Sequence, residues 1–145
     1  MEWINDLRGK TVGLDTAPLI YFIEENRVYL EAVRLFFEAV DRDDFMVVTS
    51  TVTLLEVLVH PLRSNNSELA AEYRDILLNS KLMTVEVSST IAEQAAQLRA
   101  THNIRTPDAI QISAALNSGA SHFLTNDIRL PKIPSIQILS LDELL

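Results

Sequence analysis

The segment TVGLDTAPLIYF (residues 11–22) joins a strand pattern to a helix pattern across one acidic residue. Residues 11–14 form a short apolar run, which predicts a buried strand. Pro18 is compatible with the first turn of a helix that would continue through LIYFIEE. Asp15 lies between the two elements, in apolar surroundings that an ionised group avoids unless it is paired or binds a metal. The segment therefore predicts a strand, an acid and a helix in immediate succession.

Strand and helix patterns alternate along the rest of the chain. Further strands are predicted at residues 45–49, 82–87, 122–125 and 136–139. Two further helices are predicted at residues 28–41 and 67–79. Three more are predicted from their cap residues: one from the capping-box pair Thr53 and Glu56 to about Pro61, one from Ser89 to about residue 102, and one from Thr106 as N-cap to Gly119. This alternation predicts one α/β domain over residues 1–145, a three-layer α/β/α sandwich with a mostly parallel central sheet. Such folds place their sites outside the carboxyl ends of the strands.

The composition fits one soluble domain. The 145 residues are 48% hydrophobic, enough for a full core, and include no cysteine, which excludes disulfides, thiolate metal sites and a thiol nucleophile. No apolar run approaches the roughly 18 residues of a membrane span, and MEWINDLRGK has no signal-peptide pattern, so we expect a cytoplasmic protein without membrane contact. The net charge of −8 argues against a broad basic surface for nucleic acid, so any contact with a polyanion must be local.

Three more acids share the apolar setting of Asp15: Glu56 in TVTLLEVLVHP, Asp108 in RTPDAIQISAAL and Asp127 in HFLTNDIRL. Taken singly, Asp15 fits a helix cap, Asp108 a first-turn acid favoured by the helix dipole, and Asp127 a turn residue. Glu56 is the strongest indicator of function, because residues 52–59 are apolar on almost every face and an unpaired carboxylate there would be costly. The order of strands and helices can bring all four acids to one edge of the sheet, as a single acidic pocket.

Together, the four segments resemble the PIN domain family over about residues 11–140. GLDTAPLIYF resembles the family's opening strand with its Asp, STVTLLEVLVHPLR the helix that carries its Glu, RTPDAIQISAAL its central Asp helix, and HFLTNDIRL its closing strand and Asp. The resemblance implies a metal-dependent ribonuclease whose catalytic ligands for Mg²⁺ or Mn²⁺ are Asp15, Glu56, Asp108 and Asp127. The supporting groups are then Thr16, Thr125 and Asn126.

The chemistry of such a site is consistent with these residue types. Mg²⁺ and Mn²⁺ prefer carboxylate oxygens, and one or two such ions can activate water and orient a phosphate, so that no covalent nucleophile is needed. The resemblance implies cleavage of RNA to a 5′-phosphate and a 3′-hydroxyl. Contacts to substrate phosphates are predicted at four basic residues near the acids, each of which is an ordinary surface charge when taken alone: Arg63, Arg105, Arg129 and Lys132.

The resemblance also bears on partners. Many small PIN proteins are the toxins of toxin–antitoxin pairs, in which a partner peptide covers the acidic pocket and the toxin forms a homodimer. A cognate antitoxin and a homodimer are therefore expected here. The chain departs from such toxins in the roughly ten residues before its first strand, since those toxins often begin almost at the first Asp.

Three other classes of function compete. A phosphatase of the haloacid dehalogenase type also has an Asp after its first strand, but it needs a second Asp two positions later, where this chain has Ala17, and a catalytic lysine. The lysines are Lys10, Lys81 and Lys132, and a response-regulator receiver domain is matched equally poorly. The third possibility is a non-catalytic PIN-fold domain that binds RNA or protein, which the presence of all four acids disfavours.

Overall fold

Five parallel strands form one sheet in the computed structural model, which describes residues 1–145. The strands are β1 (Thr11–Leu14), β2 (Met46–Ser50), β3 (Met83–Val85), β4 (His122–Thr125) and β5 (Gln137–Ser140). The helices are α1 (Glu2–Asn5), α2 (Thr16–Ile23), α3 (Leu30–Asp41), α4 (Thr51–Arg63), α5 (Ser67–Leu78), α6 (Ser89–Thr101), α7 (Thr106–Asn117) and α8 (Leu141–Leu144). The predicted alternation of strands and helices is confirmed, and the sheet is entirely parallel, where a mostly parallel one was expected.

The strand order is β3-β2-β1-β4-β5. The chain builds outward from β1 through β2 to β3, then crosses to the other side of β1 to form β4 and β5. Leu14 of β1 pairs with Leu124 of β4, and the Asp15 N–H donates to the Leu124 carbonyl at 2.9 Å. The strand order therefore reverses between β1 and β4, and the carboxyl edge at this point is where open α/β sheets bind ligands.

The two faces of the sheet bury separate cores, because successive residues of a strand point to opposite faces. Val12 and Leu14 of β1 belong to the larger core, which also contains Phe36 of α3 and Val57 of α4. The smaller core lies on the opposite face and is built from residues of the sheet, α6 and α7, including Val48, Ala95, Ala109, Ile112 and Phe123. Helices thus cover both faces, which confirms the predicted three-layer α/β/α architecture.

Gly13 allows α7 to lie directly on β1. A Cβ atom at this position would be 2.5 Å from the Ala115 Cβ and 2.8 Å from the Phe123 ring, distances that real Cβ atoms do not adopt. Because there is no side chain in the way, α7 approaches the middle of the sheet. Its N-terminal turn then reaches the carboxyl edge beside Asp15.

Three predicted helix starts are wrong by one to three residues. Ser50 caps α4, its Oγ accepting from the Val52 N–H at 3.2 Å, so the Thr53–Glu56 capping box does not form. The helix also continues past Pro61 to Arg63. Ser88, not Ser89, caps α6, and Arg105, not Thr106, is the N-cap of α7. In each case a neighbouring residue has the extended backbone that a cap requires.

The residues before β1 pack against the domain. Ile4 and Leu7 are buried in the larger core, and the Trp3 ring stacks on Phe36 with centroids 6.1 Å apart. The roughly ten residues before the first strand are therefore part of the folded structure. None of the helices combines the length and apolar character needed to cross a membrane.

Candidate acidic active site

The four predicted acids line one pocket at the carboxyl edge of the sheet, about 340 Å³ in volume. Asp15 directly follows β1, Glu56 lies on α4, Asp108 in the first turn of α7, and Asp127 just beyond β4. The remaining wall residues are Thr16, Ala17, Ile20, Arg105, Asn126 and Arg129. Residues that are far apart in the sequence therefore meet at the point where the strand order reverses.

Asp15 and Asp108 are the most buried of the four acids, with 9% and 7% of their surfaces exposed. The Thr125 hydroxyl donates to Asp15 Oδ2 at 2.8 Å, and the Thr16 N–H donates to Oδ1 at 2.9 Å. Burial raises the pKa of Asp15 to about 6 in spite of these hydrogen bonds, and repulsion from Asp108 and Glu56 adds to the effect. The hydrogen bonds to Asp15 thus do not fully offset the cost of burying its negative charge, and a bound cation would reduce that cost.

Glu56 is exposed, so the expectation that its helix surrounds it with apolar groups is wrong. α4 buries only Thr53, Val57 and Pro61, and Glu56 projects from the helix into the pocket. Its Oε1 accepts a hydrogen bond from the Thr16 hydroxyl at 2.7 Å. Tertiary placement, not desolvation, therefore makes Glu56 a candidate ligand.

Two arginines at the rim pair with the other two acids. Arg105 Nε donates to Asp108 Oδ2 at 3.3 Å. Arg129 donates from Nε and Nη2 to the two Asp127 oxygens at 3.0 and 3.1 Å and holds the pKa of Asp127 below its usual value. The Arg105 and Arg129 side chains are 64% and 70% exposed, so screening by water keeps both ion pairs weak.

The supporting residues tie the pocket walls together. The Thr125 hydroxyl, besides donating to Asp15, accepts from the Asp127 N–H at 3.0 Å. The Asn126 amide donates to the Tyr21 hydroxyl at 3.2 Å and accepts from the Asp142 N–H at 3.0 Å, which joins the loop after β4 to α2 and α8.

The four predicted phosphate contacts fall into two groups. Arg105 and Arg129 line the pocket. Arg63 is exposed at the last residue of α4 and does not line it, and Lys132 lines a separate groove beside Ile136 and Ile138. Only the first two basic side chains therefore lie beside the acids.

The sequence pattern indicated no role for Gln111 and predicted only a helix cap for Thr53, but the two form a buried polar cluster behind Thr16. A signal was present, since Gln111 lies three residues after Asp108, on the same face of the helix and among small apolar residues. Burial of an uncharged amide costs free energy unless it is hydrogen-bonded, so a glutamine at a core position indicates a buried hydrogen-bond partner.

The donor set suits a hard divalent cation, since the pocket offers carboxylate oxygens, an under-compensated Asp15 and no sulfur. In the present side-chain arrangement, no three acidic or imidazole side chains converge as a ligand group. Both arginine side chains are exposed. The residue types that line the pocket therefore fit Mg²⁺ or Mn²⁺ in chemistry.

The fold and the position of this pocket define an α/β domain of the PIN type. The sequence model of the PIN domain matches residues 12–136, so the chain belongs to the PIN domain family. No functionally curated protein matches the sequence significantly.

Solved structures show the same fold. VapBC2 from Rickettsia felis, bound to a DNA fragment from its promoter, is similar with a TM-score of 0.71 at 21% identity, covering 90% of this chain and 98% of that one. A toxin–antitoxin complex from Klebsiella pneumoniae gives 0.66 at 22% identity, covering 90% and 97%. The toxin VapC20 of Mycobacterium tuberculosis, which cleaves the sarcin-ricin loop, gives 0.64 at 16% identity, covering 78% and 86%. At these identities the likeness concerns the fold.

Proposed function

We propose that this protein is a metal-dependent endoribonuclease that acts through Asp15, Glu56, Asp108 and Asp127. The observation that carries the proposal is that all four acids of a PIN domain line one pocket at the carboxyl edge of the sheet. A bound Mg²⁺ or Mn²⁺ ion would supply Lewis acidity and an activated water for phosphodiester hydrolysis.

The side chains of the pocket have separable tasks in this proposal. The acids provide the negative charge that holds the cation, and Thr16 and Thr125 orient Glu56 and Asp15 by donating hydrogen bonds to them. Arg105 and Arg129 place positive charge at the rim, where a substrate phosphate would enter. The Thr16 hydroxyl proton is donated to Glu56, so Thr16 is not an activated nucleophile. As the family resemblance implies, attack by a metal-activated water would leave a 5′-phosphate and a 3′-hydroxyl.

We further propose that the protein is the toxin of a toxin–antitoxin pair, acting in the cytoplasm with an antitoxin as its partner. The support is the fold, which it shares with proteins of VapBC systems over nearly their whole length.

A homodimer is proposed as well, because α4 leaves Leu55, Val59 and Leu62 exposed at helical spacing on one surface. Sedimentation of the wild-type protein and of Leu62→Glu tests the dimer, which the charged variant should weaken.

The phosphatase alternative finds no support in the pocket. Ala17 stands in the wall where that class needs its second aspartate. None of Lys10, Lys81 and Lys132 lines the pocket, and Lys81 instead pairs with Asp43 at 3.0 Å. The catalytic lysine and the second acid are therefore both missing from the site.

Cleavage of RNA in the presence of Mn²⁺ tests the proposed activity. Wild-type protein should cleave RNA, and EDTA or the substitution Asp108→Asn should abolish cleavage without unfolding the domain. Asp41→Asn, an exposed carboxylate at the end of α3, is the matched control and should cleave as the wild type does. Unchanged cleavage by both Asp15→Asn and Asp108→Asn would exclude these acids as the catalytic centre.

Two further outcomes separate the competing functions. RNA binding without cleavage in any divalent metal would identify a non-catalytic domain, and turnover of a phosphomonoester without cleavage of RNA would identify a phosphatase. For the toxin role, expression of the wild-type chain should arrest growth, Asp108→Asn should not, and the product of an adjacent gene should relieve the arrest.

A further inference from the structure

Gln111 links α7 to the acidic site through a chain of buried hydrogen bonds. Its side chain is 2% exposed and lies beneath the pocket floor. Gln111 Oε1 accepts from the Ser50 hydroxyl at 2.7 Å, while Nε2 contacts the Thr53 hydroxyl and, at 3.5 Å, the Thr16 hydroxyl. The cluster thus reaches from the N-cap of α4 to the residue that follows Asp15.

The direction of these hydrogen bonds follows from the number of protons available. An ionised carboxylate only accepts, so Thr16 donates its single hydroxyl proton to Glu56 Oε1 at 2.7 Å. Thr49 donates its proton to the Leu14 carbonyl at 2.9 Å, so the contact between Thr49 and Thr53, also 2.9 Å, uses the Thr53 proton. The Thr53 oxygen still needs a donor, which the Gln111 amide supplies, and the Thr16 oxygen lies within reach of both that amide, at 3.5 Å, and the Thr53 hydroxyl, at 3.2 Å.

Ser50 sets the orientation of that amide. Its oxygen accepts from the Val52 N–H as the cap of α4, and its proton is donated to Gln111 Oε1. Ser50 is fully buried, so turning the amide over would leave its hydroxyl proton without an acceptor. The helix cap therefore holds Nε2 toward Thr16 and Thr53.

We propose that Gln111 is a positioning residue for Glu56, an inference that rests on the proposed metal-dependent function. By donating to the cluster, Gln111 keeps the Thr16 hydroxyl free to donate to Glu56, while the Thr16 N–H is bonded to Asp15. Thr16 thus contacts two of the acids, Asp15 and Glu56, and Gln111 contacts Thr16 from the side of the core. Asp108 lies three residues earlier on the same helix.

Calorimetric measurement of Mn²⁺ affinity tests the proposal without any need for catalysis. Gln111→Met keeps the length of the side chain and removes its three hydrogen-bonding contacts, to Ser50, Thr53 and Thr16. We expect it to weaken Mn²⁺ binding about tenfold, the lower end of the effect of removing groups that orient a metal ligand. Ser113→Ala is the matched control, because Ser113 is buried on the same helix and its hydroxyl has no partner. This control should bind Mn²⁺ as the wild type does.

Repeating both measurements in a Glu56→Gln background shows whether the effect passes through Glu56. The loss caused by Gln111→Met should disappear there, because the ligand that it positions is already altered. A loss of equal size in both backgrounds, or an affinity for Gln111→Met that equals that of Ser113→Ala, would overturn the proposal. If Gln111→Met fails to fold, Thr53→Val interrupts the same chain with little change of shape, and the same outcomes apply.

The proposed function and this inference can fail separately. A wild-type protein that binds Mn²⁺ but leaves RNA intact would refute the proposed nuclease activity. The Mn²⁺ affinities of Gln111→Met and Ser113→Ala would then still decide whether Gln111 positions Glu56. A protein that cleaves RNA while Gln111→Met binds Mn²⁺ normally would refute the positioning role alone. Lack of Mn²⁺ binding by the wild type would overturn the positioning role as well.

Discussion

Asp15→Asn is expected to stabilise the metal-free protein at neutral pH. Burial raises the pKa of Asp15 from 3.8 to about 6 in the folded chain, so the folded protein favours the neutral carboxyl group more than the unfolded chain does. The stability that this group contributes is therefore fully present below about pH 4 and is lost as the pH rises through 6. Above that pH the folded state carries a buried charge, and asparagine removes it.

The size of the effect follows from two opposing contributions. A pKa raised from 3.8 to about 6 corresponds to about 3 kcal/mol, at 1.36 kcal/mol for each tenfold change in proton affinity. Asparagine has only one side-chain oxygen, so either the Thr16 N–H or the Thr125 hydroxyl loses its acceptor, at a cost of about 1 to 1.5 kcal/mol. The net gain is then about 1.5 to 2 kcal/mol, or roughly 5 °C in Tm for a domain of this size.

Thermal and urea unfolding in EDTA, at pH 4 and pH 7.5, measure this difference. Asp15→Asn should exceed the wild type in stability at pH 7.5, and the advantage should vanish or reverse at pH 4, where Asp15 is already neutral in the folded protein. The exposed Asp41→Asn should change little at either pH. A destabilised Asp15→Asn at both values, or an equal gain at both, would show that burial of a charge is not the cause.

Three more outcomes are expected from the structure. Gly13→Ala should lower the free energy of unfolding by about 1 to 3 kcal/mol in urea titrations, because its Cβ would lie 2.5 Å from that of Ala115; an unchanged midpoint would mean that α7 does not rest on β1. Ser50→Ala should cost about 2 kcal/mol in the same assay, since it removes a helix cap and a donor to a buried amide, and a loss below 0.5 kcal/mol would contradict that. Arg129→Gln should reduce the salt slope of RNA binding by about one, whereas Lys132→Gln, outside the pocket, should leave it unchanged.

Local sequence patterns were sufficient for much of the fold. The apolar runs at β1, β2 and β4 and the helical spacing of α3 and α7 are set by near neighbours, so they predicted the elements and the alternation that implies a parallel sheet. Helix starts were less predictable, because several nearby Ser and Thr residues are suitable caps, and only the folded backbone gives Ser50 and Ser88 the extended conformation of a cap. Burial was also misjudged for Glu56, since an apolar composition cannot say which side of a helix meets the core.

The four acids could be identified from the chain alone, because each stands out locally against apolar neighbours, Asp15 and Asp127 just after a strand and Glu56 and Asp108 on a helix. Their convergence, in contrast, depends on the order in which the strands pair, and that order brings β1 next to β4. The pairs Arg105–Asp108 and Arg129–Asp127 are local, three and two residues apart in the chain. The contact between Gln111 and Thr16, in contrast, joins residues 95 positions apart, so its energy arises only when the packed sheet and helices bring the groups together.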